Sequence, residues 1–280
     1  MDDKIVWYPG HMAKAKRKMK ESLSLVDIVI ELLDARLPQS SRNPDFADIF
    51  SGKPRLTLLT KSSLADDSAT EYWIRTLSAD GSAVIAIDCK TKKNINKIMP
   101  AIRVLLKEKL ERYEQKGMNK TVKAMVVGIT NVGKSTFINT LSGKRTAKAE
   151  DRPGVTRKNQ WIPTDFGMEF LDTPGVLWHK FEEKEVAIKL ACTGAIRDEI
   201  LDTLGLSLRL LEMLCKKYPH LLAERYKVEP LADESPYELF LKIGVKRGFL
   251  MSGGVVDEDR CASVLLDEFR GGKIGKITLD

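Results

Sequence analysis

The sequence predicts an α/β protein: a domain built on a mostly parallel sheet, followed by a small all-helical C-terminal domain. Three observations carry that prediction. Short apolar runs alternate with helix-like stretches over residues 1–180. A glycine-rich loop at 128–135 lies between one apolar run and a helix-like one. Beyond Lys180 apolar residues recur at helical spacing, with no convincing strand between them.

The predicted strands are Val26–Leu33, Arg55–Leu59, Ala83–Ile87, Ala124–Ile129 and Glu169–Leu171. Such runs are apolar nearly throughout, as strands of a parallel sheet covered on both faces must be. Thr70–Leu77, Ile95–Leu110 and Ser135–Leu141 read as the intervening helices, and the polar stretch Glu111–Thr121 reads as a surface connection ending one of them. In the tail, Glu182–Leu190, Ile200–Lys217, Pro236–Arg247 and Val255–Arg270 carry the 3.6-residue pattern. The expected domains are therefore 1–180 and 181–280, and 280 residues suffice for both cores.

Bulk properties narrow the function classes. Hydrophobic residues make up 43% and charged residues 30%, the profile of a soluble globular chain. The net charge is +7 and the sequence pI about 9.1, which suits a polyanionic partner or simply a well-charged surface. Cys89, Cys192, Cys215 and Cys261 lie far apart, so neither a disulfide frame nor a zinc site is expected. No apolar leader or membrane-length run is present, and a cytoplasmic location is the expectation.

Gly128-Ile-Thr-Asn131-Val132-Gly133-Lys134-Ser135 fits G-x-x-x-x-G-K-[ST], between a predicted strand and a predicted helix starting at Thr136. Glycines let backbone N–H groups wrap phosphate oxygens, and the helix N-terminus adds positive potential. Lys134 is expected at the β- and γ-phosphates and Ser135 on Mg2+. Asp172-Thr-Pro-Gly175 follows a predicted strand, where Asp172 suits Mg2+ and the Gly175 N–H suits the γ-phosphate. Between them, Asp151-Arg-Pro-Gly-Val-Thr156 offers Thr156 as a second hydroxyl for the metal. Together these define a nucleoside-triphosphate hydrolase.

A guanine-binding N-K-x-D element normally follows the D-x-x-G strand, and nothing in Val176–Asp280 fits it. A near match lies upstream, Thr60-Lys61-Ser62-Ser63, ahead of Asp88-Cys89-Lys90 in the place of a second base loop. The order is base loops, phosphate loop, switches. That is a circularly permuted P-loop GTPase domain.

The chain resembles the YlqF/RbgA family of circularly permuted GTPases along nearly its whole length. The resemblance rests on Trp7-Tyr-Pro-Gly-His11-Met12-Ala-Lys14-Ala-Lys16, Asp34-Ala-Arg36-Leu-Pro38, Ser41-Arg42-Asn43-Pro44 and the permuted motif set. It extends through Asp172–Trp178, Thr193-Gly-Ala195 and Lys246-Arg-Gly248…Met251-Ser-Gly-Gly254. It implies GTP/GDP and Mg2+ as cofactors, and hydrolysis coupled to late assembly of the large ribosomal subunit. Its implied partners are the precursor of that subunit and its rRNA, met by the helical tail, with no membrane partner; the expected state is monomeric. Asn131 matches the family position associated with K+.

Two residues depart from the family pattern: Ser63, and Thr130, where the family loop usually has proline. Ser63 stands where the family has the aspartate that accepts from guanine N1–H and the 2-amino group. Hydrogen bonds to a charged group are worth about 1.5–3 kcal/mol, so a serine there lowers guanine preference roughly tenfold to a hundredfold. Val176 occupies the position of the water-orienting glutamine of small GTPases. The resemblance offers His11 instead, whose neutral imidazole accepts a hydrogen bond from water near pH 7; alternatively His11 only begins the first helix. Lys14, Lys16, Arg17, Lys18 and Lys20 read either as a solvated helix face or as phosphate contacts. Lys242, Lys246, Arg247, Arg270, Lys273 and Lys276 offer a second, more mixed basic surface.

Overall fold

The computed structural model describes residues 9–79, 82–118, 120–143, 160–164, 166–173, 175, 177–178, 183–196, 202–231 and 233–280. The chain divides into two compact units, residues 1–182 with Asp280, and residues 183–279.

The first unit is built on six strands: β1 (Ile28–Asp34), β2 (Arg55–Thr60), β3 (Ala83–Ala86), β4 (Val122–Gly128), β5 (Gln160–Pro163) and β6 (Met168–Asp172). Their order is β3-β2-β1-β4-β6-β5, and all neighbours run parallel except β5 with β6. Every residue of the central strand β1 is buried, which explains its unbroken apolar sequence. The exceptions are Asp34 at its end and Glu31, which is fully buried between Arg42 and Arg55, each 3.6 Å away. Burial pushes its carboxyl above the ordinary value despite both guanidinium groups.

Helices cover both faces of the sheet. Val29, Met125, Val127 and Leu171 pack with Met19 of α1 (Pro9–Ser22) and Phe46 of α2 (Asp45–Ile49). Leu33 and Leu59 pack with Leu77 of α3 (Asp67–Leu77), whose N-terminus is capped by Asp66 accepting from the Ala69 N–H at 2.8 Å. Phe170 alternates to the opposite face from Leu171, and there it stacks on Phe137 of α6 (Lys134–Ser142) at 5.6 Å. α4 (Ile98–Leu105) packs on β2 and β3.

Two sequence expectations shift here. The helix expected over Ile95–Leu110 breaks at Leu106, and α5 (Lys107–Gln115) continues into the stretch read as a connection. β5 is a strand that the sequence reading missed. Its four residues end in proline, which an edge strand tolerates because its outer backbone needs no ladder partner.

The second unit is helical: α7 (Lys184–Cys192), α8 (Thr203–Lys217), α9 (Pro219–Tyr226), α10 (Pro236–Lys246) and α11 (Glu258–Arg270). α8 is the central element, packed by α7, α9, α10 and α11, and it buries Leu206, Leu210, Leu211 and Leu214. Asp202, Ser235 and Asp257 cap α8, α10 and α11, and Ser235 forms a reciprocal capping box with Glu238. Glu268 is nearly buried and accepts from Arg225 and from Arg247. The helix α9 begins with Pro219 in its first turn and is not among the helices expected from the sequence. Among the described residues no helix is long and apolar enough to cross a membrane.

Candidate functional site

Parallel strands put their carboxyl ends on one edge of a sheet, and the loops leaving them meet there. At that edge β1 ends in Asp34, β2 in Thr60, β4 in Gly128 and β6 in Asp172. Strand order turns at the β1–β4 pair, since β2 and β3 lie to one side and β6 and β5 to the other. That is the switch point at which open α/β sheets bind ligands. Gly128 permits the tight approach of β4 to β1, because a Cβ on it would stand 2.8 Å from the Leu32 carbonyl oxygen.

The phosphate loop runs from Gly128 into α6. Asn131 (φ 55°) and Gly133 (φ 96°) both take left-handed backbone, which turns the chain sharply just ahead of the helix start. Val132 is buried, whereas Asn131, Ser135 and Thr136 are half-buried. Lys134 is only 7% exposed; burial lowers the basicity of its ammonium, and the charge of Asp172 opposes that shift. Asp172 is itself 5% exposed at the end of β6. The next residue, Thr173, donates its hydroxyl to the Val126 carbonyl at 2.7 Å, fixing the exit of β6 against β4. A Cβ on Gly175 would lie 3.1 Å from both Cα and N of Thr130, so D-x-x-G closes directly over the phosphate-loop backbone.

The upstream loops reach the same place. The Thr60 hydroxyl lies 2.7 Å from the Val132 carbonyl oxygen and 3.0 Å from that of Leu33; with one proton it donates to one of them at a time. Lys61, at φ 55°, donates to the Asn131 carbonyl at 2.6 Å. The Ser62 N–H donates to the Ile87 carbonyl at 3.1 Å and its side chain is buried, so Ser62 joins the first base loop to the second. Ser63 donates its hydroxyl to Asp88. Asp88 also accepts from the N–H groups of Lys90 (2.8 Å) and Thr91 (2.9 Å). Burial alone would raise the Asp88 carboxyl, but the Ser63 hydroxyl and these backbone donors outweigh it and hold it below the ordinary value. The Cys89 thiol is pushed up to about 11, chiefly by burial and against a hydrogen bond involving Thr140 of α6. It is an inert thiol at neutral pH. Lys90 is exposed.

Asp34 lies in the Asp34–Pro38 motif, which by itself does not mark it as a site residue. Its carboxylate takes a two-pronged pairing with Arg36, at 2.9 Å and 2.7 Å, and meets Lys61 at 3.1 Å. Both Asp34 and Arg36 are nearly inaccessible. Burial would raise the Asp34 carboxyl, but the two cations drive it far below the usual range. Asp34 thus orients the lysine that bridges base loop and phosphate loop. The available signal was its position, an acid at the last residue of a buried strand.

Residues 123–218 match the family described as 50S ribosome-binding GTPase. The chain is 47% identical to ribosome biogenesis GTPase A of Bacillus cereus over 277 residues, covering 99% of this chain and 93% of that protein. This chain belongs to the ribosome biogenesis GTPase A family. The Thermotoga maritima member is 32% identical over 98% of this chain and 93% of its own length. Among solved structures, GDP-bound TM YlqF superposes with a TM-score of 0.65 at 28% identity, covering 94% of this chain and 98% of that one. GNP-bound YlqF from T. maritima gives 0.63 at 29%, covering 95% and 97%.

As a member of the ribosome biogenesis GTPase A family the chain is a GTP hydrolase with a guanine-nucleotide site and its usual Mg2+. The residues fit that metal. A buried carboxylate (Asp172) ends β6, and a half-buried hydroxyl (Ser135) follows the buried Lys134. Among the described residues no cluster of three or more His, Cys, Asp or Glu forms a metal cage. A donor set of one hydroxyl and one carboxylate suits Mg2+, which keeps waters and substrate phosphates as its other ligands. Thr156, Val176 and the side chain of His11 lie outside the described residues; the backbone of His11 belongs to α1.

Proposed function

We propose that this GTPase binds the precursor of the large ribosomal subunit through its rRNA and couples GTP hydrolysis to a late step of its assembly. It acts as a monomer in the cytoplasm, with residues 1–180 as the GTPase domain and 181–280 as the RNA-facing helical domain. The observation that carries this reading is the similarity over nearly the whole chain to ribosome biogenesis GTPase A, with the base and phosphate loops tied together. The mitochondrial ribosome-associated GTPase 1 of Xenopus tropicalis, 34% identical over 98% of this chain and 94% of that protein, supports it too.

In this mechanism Lys134 and the phosphate-loop N–H groups neutralise the β- and γ-phosphates, and Gly175 offers its N–H to the γ-phosphate. Ser135, Thr156 and Asp172 hold Mg2+, directly or through water. Bound there, the metal supplies charge that stabilises the transferring phosphoryl oxygens. Asn131 adds a ligand for K+ beside the phosphates. His11 accepts a hydrogen bond from the attacking water and orients it.

The exposed residues Arg17, Lys18 and Lys20 of α1 and Lys246, Lys273 and Lys276 of the tail are the proposed phosphate contacts. Lys16 pairs with Asp45, Lys242 with Glu234 and Arg247 with Glu268, while Arg270 donates to the Cys192 carbonyl at 3.0 Å. Those four serve the fold.

Ser63 favours a second reading, a scaffold whose site senses nucleotide but turns it over slowly. Turnover of GTP, ATP and XTP with and without large subunits separates the two. Subunit-stimulated GTP turnover, with binding that weakens steeply with salt, is the result expected; turnover that large subunits leave unchanged overturns the proposal.

A further inference from the structure

The family's guanine-reading aspartate is a serine here, yet that serine donates its hydroxyl to a carboxylate. Asp88 enters from the loop after β3, is 3% exposed, and accepts from Ser63, which is half-buried. The two loops are held in register independently of this bond. The Ser62 N–H donates to the Ile87 carbonyl at 3.1 Å between them, and Lys61 pins the first to the phosphate loop.

We infer that Ser63 and Asp88 together replace the missing aspartate: Asp88 holds the single Ser63 hydroxyl proton, so the serine oxygen faces the base only as an acceptor. The inference rests on Thr60–Ser63 being the base loop. An ionised carboxylate has no proton to give, so the direction of the bond is set; the serine oxygen keeps its lone pairs for a ligand. Charge-assisted hydrogen bonds polarise along a chain, which strengthens that acceptor.

The chemistry selects one purine edge. Guanine presents donors at N1–H and the 2-amino group. Adenine presents a bare N1 and xanthine a 2-oxo group, and either would set acceptor against acceptor. An unmatched buried polar group discriminates more strongly than a lost contact does. Ser63 is the specificity residue and Asp88 its positioning residue.

The test is titration of the full chain with fluorescent GDP, IDP, XDP and ADP. Wild type should rank GDP first, IDP next, and XDP and ADP last. In Asp88→Asn the carboxamide can donate to the serine oxygen, and GDP affinity should fall about tenfold with ADP affinity unchanged. Ser63→Ala, which leaves the Lys90 and Thr91 bonds in place, should lose the same preference. The double variant Ser63→Asp/Asp88→Asn should recover it. Equal losses for GDP and ADP in Asp88→Asn, or a GDP preference kept in both single variants, overturn the relay. Wild type binding GDP and ADP equally overturns the base-loop reading beneath it.

Discussion

The Lys61 ammonium donates to the Asn131 carbonyl oxygen across 2.6 Å, joining two loops that are 70 residues apart in the chain. One is the loop after β2, the proposed base loop, and the other the phosphate loop after β4. Neither strand touches the other, because β1 lies between them. The bond therefore ties the loop after β2 directly to the loop after β4. Asp34, at the end of that intervening strand, aims the lysine at its target.

Lys61→Ala should uncouple the loops. With a charge-assisted bond removed, GDP affinity is expected to fall about tenfold, while the fold survives. Fluorescent-nucleotide titration reads the first effect and far-ultraviolet circular dichroism the second. Unchanged affinity would show that the bridge does not shape the site.

Asp34→Asn should destabilise the first unit by about 3–5 kcal/mol, since it leaves the buried Arg36 guanidinium without a countercharge. The sign with pH follows from a carboxyl held below its ordinary value of about 3.9 in the folded state. Its stabilisation is complete at neutral pH, begins to fall as pH drops through about 4, and continues to fall towards the folded-state value. Thermal melts at pH 7.5 should separate wild type from variant widely, and the gap should narrow below pH 4.

Gly175→Ala places a Cβ against the backbone of Thr130, which cannot move aside as a flexible side chain would. GDP binding should persist, because the phosphate loop is intact. Affinity for a non-hydrolysable GTP analogue and the rate of GTP turnover should both fall at least about tenfold, the size of one lost charge-assisted bond. Parallel titrations with GDP and the analogue measure the split.

His11→Ala should slow GTP turnover by about a hundredfold or more, the usual share of a positioned acid–base group, with GDP affinity intact. Single-turnover kinetics isolate the chemical step. Turnover equal to wild type removes His11 from the mechanism.

Much of this protein was legible in one dimension. Buried parallel strands are written as apolar runs, and the five expected runs all became strands, displaced by a residue or two at their ends. The phosphate loop is equally local, since glycine, lysine and serine at set spacing answer to backbone geometry within eight residues. Motif order revealed the permutation, because parallel strands carry their loops to one edge whatever the order in which the chain visits them. Tertiary structure decided which side chains meet. No local pattern marks Asp34 as the partner of Lys61, or Asp88 as the partner of Ser63. Those pairings follow from strand order, which brings residues 27 and 25 positions apart to within bonding distance. Ser63 finds a carboxylate in a neighbouring loop, because a hydrogen bond answers to distance and direction in space and not to separation in sequence.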